Sequence, residues 1–135
     1  MSDSTGAAIL ELATKTHQHA IKLNRRSFFG FGRERRFENA IGTFSHALRH
    51  LGPAAITRMS DIDRRSLGHI IDAIVEDTER FIASTGGSLK RVERNRHLVT
   101  AIYDMRAAFE SLSHGDDPLL MNLRAELGNE SARRK

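Results

Sequence analysis

A chain of 135 residues, 39% hydrophobic and 28% charged, has the size and composition of one soluble globular domain. It has no cysteine, which excludes disulfides, thiolate metal sites and thiol catalysis, and no apolar run approaches the roughly 18 residues of a membrane span. The net charge of +4 and pI near 10.1 favour anionic partners. Arginine outnumbers lysine 17 to 4, which suits bidentate phosphate or carboxylate contacts and equally fits coding bias in a GC-rich genome.

The opening stretch MSDSTGAAILELA has neither a basic n-region nor a long h-region, so a cytoplasmic protein is expected. The first predicted helix runs from Ser4 or Thr5 to about Arg26. Ile9, Leu12, Thr16, Ala20 and Leu23 form its main stripe at helical spacing, and Leu10, His17 and Ile21 form a second beside it. So wide an apolar face predicts contact on two sides, within a bundle or across a dimer.

Arg25–Phe37, RRSFFGFGRERRF, follows no helical pattern at its centre. It holds five arginines, four of the seven phenylalanines and two glycines. Arg25, Arg26, Arg33, Arg35 and Arg36, interleaved with Phe28, Phe29 and Phe31, could track a phosphate backbone while the rings stack on bases. Equally, the phenylalanines plug one end of a core and the arginines form its solvated rim.

A second helix is predicted from Arg33 to Leu51, with Phe37, Ala40, Ile41, Phe44, Leu48 and Leu51 on one side. Gly52-Pro53 stops it, and PAAITRM reads as a short turn. The third helix starts at Ser60 or Asp61, buries Leu67, Ile70, Ile71, Ile74, Thr78, Phe81 and Ile82, and ends at Gly86-Gly87. Arg65, His69, Asp72, Glu76 and Glu79 share its outward face. The fourth runs from Ser88 to near Gly115 over Leu98, Ala101, Ile102, Met105, Phe109 and Leu112. Its basic opening places Lys90, Arg91 and Arg94 either in an exposed overhang or around an anion seat at the helix N-terminus. Pro118 opens a short fifth helix carrying Leu119, Leu120, Leu123 and Leu127, which needs docking to be stable. NESARRK reads as a basic tail.

The expected fold is therefore all-α, an antiparallel four-helix bundle with a short fifth C-terminal helix. One domain spans 1–128, with a tail at 129–135. No metal or cofactor motif is present; His46 and His50 are four apart but lack a third local ligand. The expected function is a non-enzymatic binding module. Its partner is nucleic acid or an acidic protein surface, reached through Arg25, Arg26, Phe28, Phe29, Phe31, Arg33, Arg35, Arg36, Lys90, Arg91 and Arg94. A protein-only adaptor or homo-oligomer, covering the wide first helix and Leu119–Leu127, is the alternative.

Two local resemblances add further alternatives. FSHALRHLGP (Phe44–Pro53) resembles the phosphoacceptor box of sensor histidine kinases, although Ala47 stands where that family usually has an acid and Pro53 comes later than its proline. The resemblance implies a phosphotransfer or docking bundle, since no kinase ATP-binding domain fits in the remaining chain. Arg64…His69 and Arg91…His97 resemble the arginine–histidine motif of the HEPN ribonucleases, helical bundles of about this size. Val92 departs from the polar residue often second in that motif. That resemblance implies RNA cleavage by general acid–base chemistry, often across a dimer.

Overall fold

The computed structural model describes residues 4–25, 32–50 and 52–114. Five α-helices occupy them: α1 (Ser4–Leu23), α2 (Arg33–His50), α3 (Gly52–Arg58), α4 (Asp61–Ser84) and α5 (Leu89–His114). No strand occurs among the described residues. The expected C-terminal helix at Leu119–Leu127 and the basic tail lie outside them.

Local chemistry sets the helix boundaries. Gly32 adopts φ 77°, a left-handed turn that glycine enters without a Cβ clash, and its carbonyl accepts from Arg36 N at 3.0 Å. Ser60 caps α4: its hydroxyl accepts from Asp63 N at 3.2 Å, and Asp61 and Asp63 complement the positive end of the helix dipole. Thr85 closes the same helix, donating to Ile82 O through its N–H at 3.1 Å and its hydroxyl at 2.7 Å. Ser88 caps α5, accepting from Arg91 N at 3.2 Å.

One expectation changes. PAAITRM was expected as a turn, and its residues instead fall largely in the helix α3. A proline in the first helical turn is tolerated because its missing N–H belongs to the amides without intrahelical partners. The segment holds by burial, with Ala55 0%, Ile56 2% and Met59 8% exposed. Seven residues show too little periodicity to announce a helix.

The helices alternate in direction along the chain, as an antiparallel bundle requires. Each of α1–α2 and α4–α5 forms a hairpin, and α1 packs on α4 while α2 packs on α5. Between hairpins the neighbours run the same way. Glu34 and Arg91, both early in their helices, meet, as do Arg49 and Asp104 further along. On the other side, Asp77 reaches both His17 and Asn24 near the end of α1. The chain therefore crosses the bundle diagonally from α2 to α4, and α3 makes that crossing at the far end.

This arrangement explains the two stripes of α1, which packs against α2, α3 and α4. The core centres on Ile9, Phe37, Ile41, Phe44, Leu48, Leu67, Ile71, Ile74, Leu98, Ile102 and Met105, each at most 2% exposed. Burying each such side chain is worth roughly 1.5–3 kcal/mol. Buried Thr16 and Thr78 satisfy their hydroxyls on Leu12 O and Ile74 O, both at 2.7 Å.

Candidate functional site

Four helix ends meet at one end of the bundle: the last turns of α1 and α4 and the first turns of α2 and α5. The topology thereby joins two basic segments far apart in sequence. Glu34, in the first turn of α2, is the link. Its Oε1 accepts from Arg91 Nη1, and its Oε2 lies 3.7 Å from Arg94 Nη1.

Arg91 is not a projecting cation. Its side chain is 18% exposed, Nε and Nη2 donate to Asn95 Oδ1 at 3.0 and 2.9 Å, and its guanidinium lies 5.2 Å from the Phe81 ring centroid. Asn95 Nδ2 donates in turn to Thr85 Oγ1 at 2.8 Å. Of the two expectations for this end of α5, the exposed overhang does not describe Arg91 or Asn95, which both stand half-buried. Together Glu34, Arg91, Asn95 and Phe81 form a polar plug joining α2, α4 and α5.

Arg33 is similarly engaged. Its Nη1 donates to Lys22 O at 2.9 Å, which also accepts from Arg25 N at 3.2 Å, and to Arg25 O, tying the start of α2 to carbonyls at and just past the end of α1. Arg25, Arg35, Arg36, Lys90 and Arg94 are exposed around these anchors. A hollow of about 450 Å³ at this end is lined by Leu23, Gly32, Arg33, Glu34, Arg35, Phe81 and Arg94. Arg94 also lines a second hollow on the outer side of α5, with Lys90, Glu93 and His97. The sequence-predicted Arg26, Phe28, Phe29 and Phe31 lie outside the described residues.

Sequence reading missed Glu34 as the organising residue. Its one signal was being the lone acid between Lys22 and Arg36. Phe81, expected only as core, also serves the site by seating Arg91.

The other candidates stand apart. His46 and His50 are exposed on α2 with ring centroids 4.1 Å apart, beside Arg49, which pairs with Asp104. Among the described residues no group of three or more His, Asp or Glu is placed to hold a metal ion. Arg64 pairs with Asp61 at the far end of the bundle. Of Arg91…His97, the arginine is held by Glu34 while His97 lies in the outer hollow of α5. The outward face of α4 is stitched to α5: Arg106 lies 3.7 Å from Asp72 Oδ1, and Tyr103 donates to Glu79 Oε1 at 2.7 Å.

No family model, curated protein or solved structure matches the chain. Among the described residues, no helix is long and apolar enough to cross a membrane.

Proposed function

We propose that this bundle is a non-enzymatic module that binds nucleic acid through its basic end. The observation carrying this reading is the convergence of the start of α2 and the start of α5 at one end of the bundle, through Glu34. Arg91 and Arg94 share Glu34, and Arg35, Lys90 and Arg94 are exposed at this end, where cations outnumber the carboxylates Glu34 and Glu93. Exposed arginines and a lysine around shallow hollows suit phosphate oxygens. The amides at the N-termini of α2 and α5 add positive potential at the same end.

The test is binding of labelled single-stranded RNA and duplex DNA by the wild-type chain and by Arg35→Ala/Lys90→Ala/Arg94→Ala, measured by fluorescence anisotropy at low salt. These side chains lie outside the plug, so the variant folds. The expected result is loss of roughly tenfold or more in affinity, since each removed phosphate contact releases fewer counterions. Equal binding by both proteins would remove the basic end from the account.

A protein partner is the second reading. Leu89 at 90%, Val92 at 45% and Tyr103 at 47% exposure favour it, since these apolar side chains line the outer side of α5. A salt-insensitive oligomer or complex in light scattering is the result that reading requires.

A further inference from the structure

A groove runs between α1 and α2 beside the basic end. Leu12, Thr16 and Ala40 form its floor, and Lys15 and His19 of α1 face Arg36 and Asn39 of α2 across it. It encloses about 320 Å³, at the small end of ligand sites. The floor is low because small residues meet there. Thr16 turns its hydroxyl back to Leu12 O at 2.7 Å, with Ala40 O at 3.5 Å, and leaves the longer flanking side chains to stand as walls.

The walls are cationic. Lys15, His19 and Lys22 follow one another along one side of α1 at spacings of four and three. The carboxylate beside them, Glu11, pairs with Lys15 at 3.2 Å in a solvent-exposed bridge, which exchanges readily for another anion. Asn39 is exposed on the α2 wall, where its amide N–H groups can donate.

The groove also continues the basic end. Arg35 lines the end hollow and its neighbour Arg36 lines the groove; Leu23 and His19, one turn apart on α1, divide the same way. Arg94 joins the end hollow to the outer side of α5. The end hollow thus shares Arg94 with the hollow on α5, and residues next to its lining in α1 and α2 line the groove, a predominantly cationic run that also carries Glu34 and Glu93.

We infer that the α1–α2 groove seats a phosphate group of the strand bound at the basic end, held by Lys15, His19, Arg36 and Asn39. This rests on the nucleic-acid reading above and adds the direction the strand takes, over the α1–α2 seam. The electrostatics support it. Burial holds His19 below the ordinary histidine range, and Lys22 and then Arg36 push it the same way. Lys15 lines the same groove one turn earlier on α1. Asp77 of α4 is engaged with His17 on the neighbouring side of α1. A phosphate in the groove opposes that field and favours the imidazolium, so strand binding takes up a proton and tightens as the pH falls toward the lowered pKa of the free ring.

The experiment measures anisotropy of labelled single-stranded RNA across salt and pH for the full chain, Lys15→Ala/His19→Gln and Asn39→Asp. Circular dichroism verifies that these surface variants fold. The double variant is expected to bind about 2- to 10-fold more weakly. Its salt slope should fall by about 0.7 for each lost phosphate contact, and its binding should lose much of the wild-type pH dependence. Asn39→Asp, placing a carboxylate in the groove, should weaken binding at every pH. Wild-type affinity, slope and pH profile in both variants would overturn the groove. If Arg35→Ala/Lys90→Ala/Arg94→Ala still loses the strand, the basic end survives that result. A wild-type chain that binds no strand at low salt overturns both.

Discussion

Arg91 and Arg94 stand three residues apart on α5 and meet different surroundings. Arg91 is nearly enclosed between Glu34, Asn95 and the Phe81 ring, whereas Arg94 is 69% exposed with a carboxylate oxygen 3.7 Å away. Replacing Arg91 with alanine leaves Glu34 the longer contact to Arg94, removes both guanidinium donors from Asn95 Oδ1, and should cost about 1–3 kcal/mol. Arg94→Ala should stay within about 0.5 kcal/mol. Urea denaturation separates the two, and a smaller loss for Arg91 than for Arg94 would refute the plug. Tyr103, the sole tyrosine, offers a second probe. The hydrogen bond to Glu79 and then its negative charge raise the phenol above its ordinary value. Ultraviolet titration should show ionisation above about pH 10, moving down in Glu79→Gln. At His19 the folded state holds a proton less tightly than the unfolded chain. That contribution to stability is complete above about pH 6.5 and is lost as pH falls through the unfolded value toward the lower folded one. His19→Gln should therefore lose less stability between about pH 7.5 and about pH 5.5, measured by urea midpoints; the difference is small because much of the ring remains hydrated.

At the scale of elements, helix chemistry makes two opposite predictions. Ser60→Ala removes the cap of α4 and should cost about 1 kcal/mol. Gly42 and Gly68 lie within helices without positive φ. A Cβ meets nothing within 4 Å at Gly42 and the Phe109 ring at 3.6 Å at Gly68. Alanine at either site should stabilise by about 0.4–1 kcal/mol, read as a raised midpoint in thermal melts. Both ends of α4 and the start of α5 were legible for the same local reasons, Ser60 with its acids, Gly86-Gly87 and Ser88, whereas α1 ends at Leu23, short of the expected Arg26, and Gly52-Pro53, read as the stop of α2, opens α3. α3 was not legible, because burial of Ala55, Ile56 and Met59 sustains it and only the assembled bundle supplies that burial. Likewise, two stripes on α1 announced two neighbours without saying that α2 and α4 were those neighbours.

At the scale of the molecule, fold class followed from periodicity, but the site did not follow from composition. Arg33 and Arg91 read as equivalent cations in the sequence, yet one closes the end of α1 and the other a plug of three helices. That difference rests on contacts such as Glu34–Arg91, 57 residues apart along the chain, which no local pattern encodes. The diagonal crossing at α3 brings the two hairpins' basic ends together, and the proposed function depends on that placement. The decisive measurement is the affinity of the wild-type chain for labelled single-stranded RNA and duplex DNA across a salt series. The account predicts measurable binding at low salt that falls linearly in log–log form, with a slope of several units for as many phosphate contacts. Absence of binding at low salt, or binding indifferent to salt, would contradict it.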